Sequence, residues 1–142
     1  MSAVILDASV VAKCLVPEEG TTEARRLVAE AHPLFAPALV FAEAANVVWK
    51  HARGDPLAAE RIDGLLTDLM AIPLRALPMR SLTPLALHLA VKHRHSVYDC
   101  YYLAAAIQRS CPLATADRRL AALAREVGLS DRVILIGEGT SR

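Results

Sequence analysis

Residues 3–9 read Ala3-Val4-Ile5-Leu6-Asp7-Ala8-Ser9, and how that stretch is understood decides the fold. Its first half is apolar, rich in β-branched side chains and free of polar alternation. Such a run fits a strand buried on both faces, as in a parallel sheet covered by helices. The run stops at an acid followed by small residues, so Asp7 would stand at the carboxyl edge of the sheet. Asp7 could cap a following helix or belong to a site there, and Ser9 could serve equally well as the cap.

The rest of the chain repeats the alternation. Residues 10–16 continue as a helix that stops near Pro17 and Gly20. Thr22 can cap a second helix to residue 31, with Ala24, Leu27, Val28 and Ala31 on one face. Leu34-Phe35-Ala36 is a strand between two prolines. Residues 38–53 form a helix that is apolar nearly all round, from Leu39 and Val40 to Val48 and Trp49, which predicts burial on most sides. Gly54-Asp55-Pro56 ends it. Residues 57–70 are an amphipathic helix with Ile62, Leu65, Leu66 and Leu69 as its stripe. Residues 72–77 are a strand that Pro73 confines to a sheet edge or delays. Thr83-Pro84 reads as an N-cap and first helical position, opening a helix to Lys92. His93-Arg94-His95 reads as an exposed connector and Ser96 as the start of a helix through Gln108. Leu113-Ala114-Thr115 is a strand, residues 117–127 a helix ended by Gly128, and residues 133–136 the last strand. Strands alternating with helices predict one α/β sandwich over residues 1–142, with a parallel sheet covered on both faces.

Composition narrows the class. With 54% apolar and 22% charged residues the chain is of the soluble globular kind. No apolar run approaches the ~18 residues of a membrane span, and no basic region precedes the first apolar run as in a secretory signal. Cys14, Cys100 and Cys111 are odd in number and widely spaced. That argues against a disulfide framework or zinc site and for free thiols in a reducing cytoplasm. The net charge of +1 does not announce a nucleic-acid binder, yet only three of the 16 basic residues, Lys13, Lys50 and Lys92, are lysine. Arginine's planar fork suits phosphate oxygens, although an arginine-favouring codon usage gives the same excess.

Open α/β sheets bind ligands beyond the carboxyl ends of their strands. A dinucleotide fingerprint and a P-loop are both absent, as neither glycine pattern occurs. Asp7-Ala8-Ser9 lacks the second aspartate of a D-x-D phosphatase nucleophile, and no acidic pair of a receiver domain follows the first strand. Four acids remain in unusual settings. Glu43 lies mid-helix among Leu39, Val40, Val47 and Val48, where a carboxylate is costly unless partnered. Asn46 and Lys50 share its face, so a solvated stripe with a Glu43–Lys50 relation is the alternative. Asp99 stands three residues after Ser96, as in a capping box, yet Cys100-Tyr101-Tyr102-Leu103-Ala104 follows it. Asp117 follows a strand and could simply cap the next helix. If the four converge, their repulsion calls for a cation. An all-oxygen set selects a hard ion, Mg²⁺ or Mn²⁺, over zinc.

The set Ile5-Leu6-Asp7-Ala8-Ser9, Glu43-Ala44-Ala45-Asn46-Val47-Val48-Trp49-Lys50, Ser96-Val97-Tyr98-Asp99-Cys100-Tyr101-Tyr102-Leu103-Ala104 and Thr115-Ala116-Asp117-Arg118-Arg119-Leu120 resembles PIN-domain ribonucleases. Among them it is similar to the VapC toxins of toxin–antitoxin pairs. The likeness runs from about residue 3 to residue 136, with Ala8 standing where the family often has Thr. The resemblance implies a PIN-like α/β/α sandwich with strand order 3-2-1-4-5. It also implies a metal-dependent endoribonuclease in which Asp7, Glu43, Asp99 and Asp117 hold Mg²⁺ or Mn²⁺ and activate water against an RNA phosphodiester. Ser9 and Thr115 would then bond the water or a phosphate oxygen, Asn46 would orient Glu43, and Arg118 and Arg119 are possible contacts to the RNA backbone. A small VapB-type antitoxin and a homodimer are the implied partners, in the cytoplasm and away from membranes. Two other classes stay open: a PIN module that binds RNA or scaffolds a complex without cutting, and a different metal-dependent phosphohydrolase or DNA nuclease. His88, His93 and His95 fit no metal motif. Tyr101 and Tyr102 could stack bases, but core packing is the reading that fits their apolar neighbours, and Trp49 is read as core or interface.

Overall fold

The structure, a computed structural model, describes residues 2–137. β1 (Val4–Leu6) lies at the centre of a five-stranded parallel sheet and is buried along its whole length. β2 (Leu34–Pro37) pairs with it on one side and carries β3 (Leu74–Leu77) at the edge. β4 (Leu113–Thr115) pairs with it on the other side and carries β5 (Val133–Leu135). The order β3-β2-β1-β4-β5 is the expected one. Ile5 stands opposite both Phe35 and Leu113. Successive connections leave β1 in opposite directions, so the carboxyl ends of β1 and β4 flank a switch point where such sheets bind ligands. Pro73 does what its chemistry requires: β3 begins one residue later and occupies an edge.

Helices cover both faces. α1 (Ala8–Leu15) and α2 (Thr21–Glu30) follow β1, and α3 (Leu39–Arg53) follows β2. After α4 (Pro56–Ala59) and α5 (Ile62–Ala71) comes β3, then α6 (Met79–His93) and α7 (Val97–Arg109). α8 (Arg118–Ala124) follows β4 and gives way to a wide turn over Arg125–Leu129, where Gly128 takes φ 105° and stops the helix as anticipated. α7 lies against β1, β2 and β4, with α6 and α8 beside it, while α1 packs on α2, α3 and α5. Among the described residues no helix is long and apolar enough to cross a membrane.

Several local expectations are corrected. α2 starts at Thr21, behind Gly20 at φ 90°, so Thr22 is not its cap. The Thr21 hydroxyl instead accepts from the Glu18 N–H and donates to the Lys13 carbonyl, 2.8 Å each. The helix foreseen over 57–70 is broken into α4 and α5, with Asp55 capping the first of them. α6 begins a turn before Thr83-Pro84, which leaves Pro84 inside it. Thr83 donates back to the Met79 carbonyl at 2.8 Å, the i−4 back-bond a hydroxyl makes inside a helix. α3 is the largest departure: only Val40 and Ala44 are buried, and Trp49 is 55% exposed under the guanidinium of Arg53. Its outer side and the stripe of α5 wall an open apolar groove through Val48, Trp49, Leu65 and Leu66. The more deeply buried helix is α7, where Tyr102, Leu103, Ala104, Ala105 and Ala106 have no exposed surface.

Candidate active site

At the switch point a cleft of about 240 Å³ opens between the ends of β1, α3, α7 and α8, and Asp7, Ser9, Glu43, Asn46, Asp99 and Asp117 line it together with Ala8 and Val47. The four acids are thus contributed by four separate elements and brought to one place. Thr115 is fully buried behind Asp7.

Asp7 occupies the N-cap position of α1 but makes no side-chain cap bond. Its Oδ2 instead accepts from the hydroxyls of Ser9 and Thr115, the latter at 2.8 Å. Each hydroxyl is itself held by a backbone donor of the turn after β4: Ala116 N–H to Ser9 Oγ at 2.9 Å, and Asp117 N–H to Thr115 Oγ1 at 3.0 Å. A hydroxyl has one proton to give. Ser9 and Thr115 give theirs to Asp7. The carboxyl group of Asp7 is pushed up to about 6, first by burial and further by the charges of Asp99 and Glu43, against the lowering effect of its two hydroxyl donors.

Glu43, half-buried on α3, makes no ion pair with Lys50 among the described residues and accepts a 2.6 Å bond from the hydroxyl of Tyr102, a fully buried side chain of α7. Burial raises its proton affinity, the Tyr102 bond lowers it, and Asp99 raises it again. Among the described residues no hydrogen bond joins Asn46 to Glu43. Asp99 belongs to no capping box, because Ser96 makes no side-chain cap bond. Its Oδ2 lies 2.9 Å from Nε2 of His95, whose side chain is 9% exposed, so His95 is a site neighbour and not an exposed connector. Asp117 joins two roles that looked exclusive: Oδ1 caps α8 through the N–H groups of Arg119 and Leu120, and the residue lines the cleft. Arg118 and Arg119 are exposed on the first turn of α8. Tyr102 and His95 carried a signal in their spacing: three residues after and four before Asp99 is the distance at which side chains meet across a helical turn.

No Lys or Arg lines the cleft. Four carboxylates lining one cleft with no basic side chain among them are a setting whose charge a hard cation would neutralise. Among the described residues no three His, Cys, Asp or Glu side chains already stand together as a complete metal-binding group.

Comparison with known proteins agrees with this geometry. The family profile of the PIN domain matches residues 4–126. This chain belongs to the PIN-domain family. A curated PIN relative, Ribonuclease VapC3 of Pyrobaculum aerophilum, is 38% identical over 120 residues, covering 82% of this chain and 91% of the relative. Among solved structures, PAE2754 from Pyrobaculum aerophilum superposes with a TM-score of 0.67 at 22% identity, covering 86% of this chain and 84% of the other. FitAcB from Neisseria gonorrhoeae gives a TM-score of 0.57 at 19% identity, covering 95% and 98%. Those two likenesses establish the PIN fold. PIN nucleases generally use divalent metal ions, the class of ion that the acidic cleft suits.

Proposed function

We propose that this PIN domain is the endoribonuclease toxin of a VapBC-type pair, hydrolysing RNA phosphodiester bonds with Mg²⁺ or Mn²⁺. One observation carries the reading: Asp7, Glu43, Asp99 and Asp117, spread over 110 positions of sequence, line one cleft whose walls hold no basic side chain. The relative named Ribonuclease VapC3, matched over 91% of its length, supports it. The four acids would hold the ion directly or through water. When bound, such an ion would supply Lewis-acid polarisation of the scissile phosphate and a water of lowered pKa. Ser9 and Thr115 keep Asp7 aimed into the cleft, and Tyr102 and His95 do the same for Glu43 and Asp99. Arg118 and Arg119 offer guanidinium groups to the RNA backbone at the rim. A VapB-type antitoxin, a homodimer and a cytoplasmic location belong to the same proposal.

The test incubates the purified protein with a panel of structured RNAs and matched DNAs, in Mg²⁺ or Mn²⁺ and in EDTA. Cleavage of RNA that needs the ion and is lost in Asp99→Asn is the expected result. Equal cutting by wild type and Asp99→Asn, or none by either, removes the enzyme reading in favour of a binding module. Preferential cutting of DNA replaces it with a DNA nuclease.

A further inference from the structure

Beside the acidic cleft lies a second hollow of about 340 Å³, lined by Leu39, Ala42, Glu43, Asn46 and Tyr98. Glu43 and Asn46 line both spaces, so the two adjoin. We propose that this hollow is a subsite for one unstacked nucleobase next to the scissile phosphate, with Tyr98 as its stacking face. The proposal rests on the nuclease reading of the cleft and deepens it by assigning Tyr98 and the α3 face to a base beside the cut.

Tyr98 is 58% exposed, a large aromatic surface left in water directly before a site acid. On a helix, neighbouring side chains diverge by about 100°, so Tyr98 stands beside the cleft where Asp99 stands in it. The opposite wall is a single face of α3. Leu39, Ala42, Glu43 and Asn46 fall at i, i+3, i+4 and i+7, the spacing of one helical stripe. Ala42 is exposed and carries only a methyl group, which leaves room for a flat ring between the helix and the tyrosine. The polar end of the hollow is the exposed amide of Asn46, one donor group and one acceptor on the side shared with the cleft.

The chemistry of that lining selects the ligand. A phosphate finds no cation there, and Glu43 repels it. A nucleobase meets an aromatic face, aliphatic side chains against its other face, and an amide for its edge. A base can enter only when splayed out of a helix, which is how proteins read single-stranded RNA: unpaired bases stack on aromatic side chains and bond through their edges. Stacking of one base on an aromatic ring changes affinity by roughly 10- to 100-fold.

The experiment uses short single-stranded RNAs spanning a mapped cut, with each base near the cut removed in turn to leave an abasic sugar. Wild type should lose roughly 10- to 100-fold in KM when one particular flanking base is absent, with kcat far less affected. Tyr98→Ala should show that loss already on the intact RNA and no further loss on the abasic one. Tyr98→Phe, which keeps the ring, should retain the abasic penalty. A thermal melt checks that each variant is folded. If wild type cuts RNA but Tyr98→Ala has the same KM and the same abasic penalties, the subsite is refuted and the nuclease reading stands. If wild type cuts no RNA, the nuclease reading fails and the subsite goes with it.

Discussion

Asp7 gathers most of the site's electrostatic strain into one side chain. Its carboxyl group titrates ordinarily at 3.8 and is pushed up to about 6 in the fold, chiefly by burial. Between those values the unfolded chain has released its proton while the folded chain keeps it. Stability from this group is therefore full below about pH 4 and is lost as pH rises through about 6, by roughly 3 kcal/mol. Glu43, raised for the same reason, adds a loss of the same sign. Denaturant unfolding in EDTA should show stability falling between about pH 4 and 6.5, and Asp7→Asn should flatten the slope. A wild-type protein that gains stability across that window contradicts the account. Tyr102 gives a second residue-scale prediction. Its phenol is buried and its proton affinity raised, first by burial and then by Glu43, so it stays a donor. Tyr102→Phe keeps the ring in the core and removes only the bond to Glu43. Calorimetric titration should show Mn²⁺ binding weakened by roughly 10- to 100-fold; an unchanged affinity would mean that Glu43 needs no such support. The acids were legible in the sequence because each is a charge in an apolar or strand-end setting. The hydroxyl of Tyr102 and the ring of His95 were not, because a tyrosine among leucines and alanines reads as packing, and a histidine between helices reads as a connector.

At the scale of elements, the strands and the helix starting at Asp117 could be read directly, since buried parallel strands are unbroken apolar runs and an acid after a strand is an N-cap in waiting. Helix burial could not. α3 has the more hydrophobic sequence and is half exposed, whereas α7 contains Asp99 and three tyrosines and is buried through its middle, from Tyr102 to Ala106. The difference lies in side-chain size. Ala104, Ala105 and Ala106 let neighbouring elements approach the α7 backbone closely, while the larger residues of α3 are partly left to the groove shared with α5. Thr83-Pro84 misled for a related reason: an N-cap signature and a proline within the second turn look alike when the upstream turn, Met79 to Leu82, has no distinctive residue. Because α7 positions Asp99 and Tyr102 together, crowding it should damage fold and site at once. Ala105→Leu should cost about 1–3 kcal/mol in urea unfolding and lower RNA cleavage even where the protein remains folded. A variant as stable as wild type would show that α7 has space that its burial denies.

For the molecule as a whole, the alternation of elements reveals a parallel sheet but does not choose among strand orders; the order 3-2-1-4-5 came with the resemblance, because pairing partners leave no mark in spacing. That order brings residue 7 beside residue 117, and only the folded chain has the cleft. An ion bound there ties together the end of β1, the middle of α3 and the starts of α7 and α8. The unfolded chain has no such site, so binding stabilises the entire fold, by about 2.7 kcal/mol at an ion concentration 100 times the Kd. For a chain of this length that is a rise in Tm of roughly 10 °C. Mn²⁺ should raise the melting temperature and EDTA should reverse it. Asp7→Asn separates the two sides of the balance: without the buried charge it should melt higher than wild type in EDTA at pH 7, yet gain nothing from the ion, as sites built for function oppose stability. Wild type melting identically in Mn²⁺ and EDTA would mean that the cleft holds no ion. An Asp7→Asn variant less stable than wild type in EDTA would mean instead that the Ser9 and Thr115 bonds to a carboxylate outweigh the cost of burying it.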